Sequence, residues 1–248
     1  MKIILFIILM SLINLSASTI RVAAASNISY AMDDLKKEFY KRNKDIKVQV
    51  ILGGTGKLAT QIRNKAPFDM LMGADMFYVQ KLYEEGYAST KPVVYAQGSL
   101  VYLSGKKLDF SDIKKLLLSK DIKKIALANP KTAPYGKASV EFLKNVKLFE
   151  ILKPKFVYAE SISQTFTYAI RVADMGLVAK SLLFSPKMRY LKEGVNYLDV
   201  DAKFYTPIKQ GMVMLSEAKH KADAKLFYDF MLSKEARDIL KRYGYILP

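Results

Sequence analysis

Hydrophobic residues follow two alternating spacings along the chain. Short apolar runs or strict alternation predict buried strands, whereas spacings of three and four residues predict one buried face of a helix. The predicted strands lie at residues 19–25, 47–52, 68–72, 99–103, 124–128, 155–158, 175–179 and 211–215. The predicted helices cover residues 28–39, 58–62, 79–83, 112–118, 138–146, 162–173 and 222–243, the last with a break near Ser233.

This regular exchange of strands and helices predicts an α/β protein with mainly parallel sheets. The elements up to about Gly86, and those from about Gly98 to Val200, each contain several strand–helix repeats. No Gly/Ser-rich linker separates the two groups. We therefore expect two compact lobes joined by short extended crossings.

Residues 1–18 have the pattern of a secretory signal peptide. Lys2 gives a basic start, residues 3–15 form an apolar run, and small residues follow, with cleavage expected near Ala17 or Ser18. The apolar run is shorter than the roughly 20 residues that a membrane-spanning helix needs. The chain has no cysteine that could carry a lipid anchor. The sequence therefore predicts an exported protein that is soluble in the periplasm.

Composition removes several classes of function. The 248 residues include 40 Lys and Arg against 23 Asp and Glu, for a net charge of +17, with no cysteine and one histidine, His220. A disulfide framework, a cysteine nucleophile and a thiolate or multi-histidine zinc site are therefore excluded. The basic residues are dispersed and lack interleaved aromatic residues, so we expect no nucleic-acid partner. Their charge would attract anions.

Four predicted strand-to-helix junctions carry small or hydroxyl residues where a helix is about to begin. The first N–H groups of a helix are unpaired, and its N-terminus is the positive end of the helix dipole. Ligands of open α/β sheets bind at the carboxyl ends of strands, where these junctions lie. Each junction alone fits an ordinary helix cap, but four that meet at one cleft would bind an anion. The junctions are residues 25–27, 53–56, 133–136 and 160–163.

Two catalytic interpretations of these junctions are weaker. A phosphate-binding P-loop needs a glycine and a Ser or Thr at positions where this chain has Ile51 and Leu58. A serine hydrolase would use Ser26 with His220, which lies between two lysines in a segment expected to be exposed. Ser26 also lacks the glycines of a nucleophile elbow.

At these junctions the sequence resembles the periplasmic molybdate-binding proteins of ABC importers, over residues 20–248. The segments that carry the resemblance are residues 23–27 (AAASN), 54–62 (GTGKLATQI), 129–138 (NP to PYGKA), 160–165 (ESISQT), 207–211 (PIKQG) and 242–245 (RYGY). The resemblance implies a two-lobed type II periplasmic-binding-protein fold, each lobe a mainly parallel sheet flanked by helices, with the ligand cleft between the lobes. Lobe 1 would comprise residues 19–95 and 207–248, and lobe 2 residues 96–206.

The resemblance also implies a binding protein, not an enzyme, without a cofactor or a metal-cation site. Its ligand would be molybdate or tungstate, delivered by a monomer to a membrane permease driven by a cytoplasmic ATPase. The lobes would close on the ligand by hinges near residues 95–98 and 203–210. The oxyanion would be held by the hydroxyls of Ser26 and Thr55 and by backbone N–H groups near Ser26, Asn27, Thr55, Tyr135 and Ile162.

Two positions depart from the family pattern. Thr55 stands where serine is commoner and keeps the hydroxyl, and Ala179 stands where some members have a tyrosine. A fully ionised tetrahedral anion only accepts hydrogen bonds, whereas phosphate keeps a proton and needs an acceptor. The first three junctions contain no Asp or Glu, and Glu160 borders the fourth, which disfavours phosphate. Binding of sulfate, thiosulfate or phosphate stays open as an alternative, as do an exported serine hydrolase and a basic adhesin.

Overall fold

A computed structural model describes residues 18–248. Of the predicted signal peptide, residues 1–17 lie outside the described residues. From Ser18 onward the chain forms two five-stranded sheets with helices packed against them. In the same range, no helix has both the length and the apolar character needed to cross a membrane.

The elements alternate along the chain. The strands are β1 (Ser18–Ala25), β2 (Ile46–Gly53), β3 (Met70–Met72), β4 (Val93–Gly98), β5 (Leu100–Leu103), β6 (Ile125–Ala128), β7 (Phe156–Ala159), β8 (Met175–Ala179), β9 (Tyr197–Asp199) and β10 (Ile208–Met214). The helices are α1 (Ser29–Phe39), α2 (Thr55–Arg63), α3 (Phe77–Glu84), α4 (Ile113–Leu118), α5 (Pro134–Asn145), α6 (Phe149–Leu152), α7 (Ile162–Arg171), α8 (Lys221–Met231) and α9 (Lys234–Arg242). Short 3-10 turns at Ser26–Ile28 and Lys180–Phe184 follow β1 and β8.

We call the sheet with strand order β2-β1-β3-β10-β4 and its helices lobe 1. Strand β1 pairs in parallel with β2 and β3, whereas β10 pairs antiparallel with β3 and β4. Helix α1 buries Met32, Leu35 and Phe39 on one face, as their spacing predicts. The predicted break near Ser233 is confirmed, because Ser233 ends one helix and caps α9 by accepting a hydrogen bond from the Ala236 N–H.

We call the sheet with strand order β7-β6-β8-β5-β9 and its helices lobe 2. Strand β6 pairs in parallel with β7 and β8, whereas β5 pairs antiparallel with β8 and β9. Helix α7 buries Ile162, Phe166 and Ala169 against this sheet. The Ser161 side chain caps the helix by accepting a hydrogen bond from the Gln164 N–H.

The predicted two-lobed α/β fold is confirmed, but each sheet is mixed rather than mainly parallel. The antiparallel strands are those by which the chain enters or leaves a lobe. Strand β4 leads out of lobe 1 into β5 through Ser99, and residues 200–207 lead back from lobe 2 into β10. Strands β4 and β9 and helix α6 were not predicted from the sequence. Strand β9 and helix α6 have three and four residues, too few for a periodic pattern, whereas the apolar run at the start of β4 is a strand signal that was missed.

Candidate functional site

Both sheets bring the carboxyl ends of their parallel strands to the boundary between the lobes. In lobe 1, β1 and β2 end at Ala25 and Gly53, and in lobe 2, β6 and β7 end at Ala128 and Ala159. A helix or helical turn begins within a few residues of each strand end. Four helical N-termini, two from each lobe, therefore border the same cleft, which is the arrangement expected from the junctions in the sequence.

The five residues predicted to contact an oxyanion line one small cavity in this cleft. They are Ser26 and Asn27 in the turn after β1, Thr55 at the start of α2, and Tyr135 and Ile162 in the first turns of α5 and α7. All five are buried. Because the first N–H groups of a helix have no acceptor within the helix, the amides at positions 55, 135 and 162 are available as donors. The cavity has a volume of about 10 Å³, room for one water molecule.

The Thr55 hydroxyl is held in an orientation that leaves its proton free. Its side chain is fully buried, and Oγ1 accepts a 3.0 Å hydrogen bond from the Ala74 N–H. This bond uses a lone pair of the hydroxyl, so the proton can be donated to a ligand oxygen. Ala74 follows β3 and also lines the cavity. Sequence reasoning missed it, although the rule that ligands bind at the carboxyl ends of strands applies to β3 as well.

Ser26 reaches across the boundary between the lobes. Its Oγ accepts a 3.4 Å hydrogen bond from the Ser163 N–H in the first turn of α7. A second bond between the lobes, 3.0 Å long, runs from the Gly56 N–H to the Thr132 carbonyl oxygen. The Ser26 hydroxyl keeps its own proton for donation. The two lobes are therefore in direct contact at the site.

Asn27 is anchored by its side chain. Its Nδ2 donates to Oε1 of Gln210 at 2.9 Å and to the Tyr245 hydroxyl at 2.6 Å. Its carbonyl oxygen accepts a 2.8 Å hydrogen bond from the Ser181 hydroxyl of lobe 2. These contacts hold the turn that lines the cavity. Gln210 and Tyr245 lie in segments of the sequence resemblance, but that resemblance gave them no role.

The cavity offers neutral hydrogen-bond donors. The described residues that line it include no Asp, Glu, Lys or Arg. The Glu160 carboxylate points outward and forms an exposed 3.2 Å ion pair with Lys57 of lobe 1, a kind of pair that contributes about 1 kcal/mol or less. Between residues 18 and 248, no group of three or more His, Cys, Asp or Glu side chains could hold a metal ion.

A larger groove, about 390 Å³ in volume, lies beside this cavity. Asp75 and Phe77 of lobe 1 line one wall, and Lys137 and Glu141 of lobe 2 line the other. Burial raises the pKa of Asp75 to about 6, against the opposing effects of the Tyr78 N–H and the Lys137 ammonium. Asp75 is therefore charged at pH 7.5 in a site that disfavours the charge.

Asp75→Asn should raise the free energy of unfolding at pH 7.5 by up to about 3 kcal/mol. The pKa of the Asp75 carboxyl is about 6 in the folded protein, above its ordinary value of 3.8. The carboxyl is therefore least harmful to the stability of the fold below pH 4, where it is protonated in both states, and destabilises the fold once the pH has risen through 6. Asparagine keeps an acceptor for the Tyr78 N–H and carries no charge. Denaturation at pH 7.5 and at pH 4 measures the effect, and an equal gain at both pH values would contradict the assignment.

The structure separates Ser26 from His220. The His220 backbone N–H lies 3.5 Å from the Asp69 carboxylate, which also accepts a 2.7 Å hydrogen bond from the Arg21 N–H. Arg21 precedes Ser26 by five residues of extended chain, a separation of about 16 Å. A histidine side chain cannot bridge that distance to the Ser26 hydroxyl. The serine hydrolase hypothesis is therefore wrong.

Several known proteins are similar to this chain in sequence and fold. The sequence matches the family described as bacterial extracellular solute-binding protein over residues 20–246. It is 34% identical to the molybdate-binding protein ModA of Rhodobacter capsulatus, over 93% of this chain and 89% of that protein. It is also 34% identical to ModA of Azotobacter vinelandii, over 92% of this chain and 90% of that protein. The solved structure of the Azotobacter vinelandii periplasmic molybdate-binding protein matches the fold with a TM-score of 0.86 at 29% identity, covering 92% of this chain and 99% of that one.

Proposed function

This chain belongs to the family of bacterial extracellular solute-binding proteins, and we propose that it binds molybdate in the cleft between its two lobes. The observation that carries the proposal is the cavity bordered by Ser26, Asn27, Thr55, Tyr135 and Ile162, which offers hydroxyl and N–H donors. The similarity to proteins named for molybdate binding supports the same ligand. Its family and these relatives are solute-binding proteins, and the chain is a binding protein rather than an enzyme.

The donor set suits an anion that carries no proton. Molybdate and tungstate are tetrahedral dianions at neutral pH, and their oxygens accept hydrogen bonds and donate none. Phosphate keeps a proton at neutral pH and needs an acceptor, which the described lining residues do not offer as a carboxylate. Tungstate nearly equals molybdate in size and charge, so we propose that it binds as well. Sulfate is smaller, so donors spaced for molybdate would not all reach its oxygens.

Opening and closing of the lobes would admit the anion. The two lobes are in direct contact on either side of this cavity, so we propose that they part to admit the anion and close again around it. The bonds from Gly56 to Thr132 and from Ser163 to Ser26 would break in this movement. We propose hinges near residues 95–98 and 203–210, the two segments in which the chain crosses between the lobes.

The loaded protein would act outside the cytoplasm. We propose that residues 1–18 direct export and that the mature chain works as a monomer in the periplasm. The closed form would pass the anion to a membrane permease driven by a cytoplasmic ATPase. The net charge of +17 would speed the encounter with a dianion, most strongly at low ionic strength.

Calorimetric titration of the purified mature chain tests this function. Molybdate and tungstate should each bind tightly with one anion per chain. Excess sulfate or phosphate should leave both titrations unchanged. Binding heat with sulfate or phosphate, but none with molybdate, would leave the fold assignment unchanged and show that the ligand is not molybdate. No heat with any of the four anions would mean that the four helix N-termini are ordinary caps.

A further inference from the structure

A group of contacts joins the two lobes outside the anion cavity. The Tyr78 hydroxyl of α3 donates a 3.0 Å hydrogen bond to the Lys131 carbonyl oxygen, and this bond is exposed to solvent. Beside it, the Gly56 N–H donates to the Thr132 carbonyl oxygen, also at 3.0 Å. Both donors belong to lobe 1, and both acceptors belong to the segment between β6 and α5 of lobe 2. The bonds therefore tie one lobe to the other.

The two bonds lie side by side, and both acceptors are fixed in place. A Cβ atom at Gly56 would lie 2.7 Å from the Tyr78 hydroxyl and 3.1 Å from the Thr132 carbonyl oxygen. Within lobe 2, Oδ1 of Asn129 accepts a 3.0 Å hydrogen bond from the Lys131 N–H. The Asn129 carbonyl oxygen accepts a 3.2 Å bond from the Thr132 N–H. The segment thus presents two carbonyl oxygens to lobe 1 in a defined position.

An ion pair continues this contact. The Lys57 ammonium lies 3.2 Å from the Glu160 carboxylate, and Glu160 directly follows β7 of lobe 2. The main chains also touch here, because a Cβ atom at Gly54 would lie 3.1 Å from the Thr132 carbonyl oxygen and 3.2 Å from that of Glu160. We call the six residues that make these bonds the latch: Gly56, Lys57 and Tyr78 of lobe 1, with Lys131, Thr132 and Glu160 of lobe 2.

The latch lies on the side of the cleft away from the crossings between the lobes. Gly56 and Lys57 come after β2, and Glu160 comes after β7, the outer strands of the two sheets. Three strand spacings, about 14 Å, separate β2 from β10 and β7 from β5, the strands that adjoin the crossings. No latch residue belongs to segment 95–98 or 203–210. Rotation of the lobes about those segments therefore separates the two halves of the latch.

We propose that the latch holds the cleft closed over the anion and sets the rate at which the anion leaves. The inference rests on the proposed anion binding. In the described chain, the anion cavity is lined by other residues, so the latch residues are positioning residues. Their bonds join the lobes only in the closed form and must break before the cleft opens. Affinity differences between related complexes arise mostly in the dissociation rate, which is the rate that the latch controls.

Tyr78→Phe tests this role. The variant keeps the ring, which packs against the core of lobe 1, and removes the hydroxyl. Bound molybdate should leave about 2- to 13-fold faster, and the affinity should fall by the same factor, since one net hydrogen bond is worth that much. Exchange of radioactive molybdate from the loaded protein against excess unlabelled molybdate measures the release rate, and calorimetric titration measures the affinity. Tyr83→Phe is the matched control, because Tyr83 lies on the same helix and packs against the same core. It should release molybdate like the wild type.

A charge exchange tests the ion pair of the latch. Lys57→Glu places two carboxylates against each other and should speed the release of molybdate, by about 5-fold for loss of an exposed pair. Adding Glu160→Lys restores opposite charges with the lobes exchanged and should return the release rate to near that of the wild type. The double variant has the net charge of the wild type, so recovery identifies the pair itself rather than the charge near the anion.

The outcomes separate this inference from the proposed function. Release at the wild-type rate from Tyr78→Phe would overturn the inference, as would equally fast release from Tyr78→Phe and Tyr83→Phe. Failure of Glu160→Lys to restore the rate of Lys57→Glu would also overturn it. In each of these cases molybdate still binds to the wild type, and the proposed function stands. Absence of molybdate binding by the wild type would instead overturn the proposed function, and the latch would have no anion to retain.

Discussion

Thr55→Val should weaken molybdate binding by about 10- to 100-fold, because one hydrogen bond to a charged ligand is worth about 1.5–3 kcal/mol. Valine keeps the shape of the side chain and removes the hydroxyl. In the folded chain that hydroxyl already accepts a bond from the Ala74 N–H, so its proton is available for donation to the proposed anion. Calorimetric titration with molybdate measures the loss.

Two further variants make this result specific. Thr55→Ser keeps the hydroxyl and should bind within a few-fold of the wild type. Ser26→Ala removes the other hydroxyl of the cavity and should also weaken binding about 10- to 100-fold. Thermal denaturation without ligand separates a binding defect from a folding defect, since a valine at position 55 also leaves the Ala74 N–H without its acceptor. Wild-type affinity in both Thr55→Val and Ser26→Ala would remove these hydroxyls from the site.

The sequence predicted the elements that a strong local pattern defines. Helices α1 and α7 carry apolar residues at helical spacing over three turns, and both are found with that face buried. Strand β9 was missed because three residues are too few for a periodic pattern, whereas β4 begins with an apolar run that does carry a strand signal. The antiparallel partners of β10 and β5 depend on where the chain crosses between the lobes, and periodicity carries no information on that crossing.

The candidate site was predictable for a different reason. Its residues lie at the carboxyl ends of parallel strands, so a local rule brings Ser26, Thr55, Tyr135 and Ile162 to one cleft. The supporting contacts were not predictable in this way. The hydrogen bond from Asn27 to Tyr245 joins residues 218 positions apart, and no local sequence pattern predicts such a contact.

Gly98 takes part in another contact that no local pattern predicts. Its replacement should have the second large effect on molybdate binding. Gly98→Ala should weaken molybdate binding by about 5- to 150-fold, as overpacking of a filled site costs about 1–3 kcal/mol. The new Cβ would overlap the Tyr135 hydroxyl, lie 2.9 Å from the ring carbon Cζ and lie 3.1 Å from Nε2 of Gln210. Tyr135 is buried in the first turn of α5, so the strain acts on the helix N-terminus that borders the site. Titration with molybdate measures the loss, and thermal denaturation without ligand separates it from a folding defect.

A second substitution tests the cause of this loss. Adding Tyr135→Phe to Gly98→Ala removes the overlapping hydroxyl and leaves the tight contact with Cζ, so affinity should recover in part. Gly176→Ala is the matched control, because its Cβ would lie 2.9 Å from the Ala126 carbonyl oxygen inside lobe 2. That variant should lower thermal stability without changing the affinity of correctly folded protein. If Gly98→Ala binds like the wild type, or Tyr135→Phe restores nothing, the fit of the Tyr135 side chain against this glycine does not control binding.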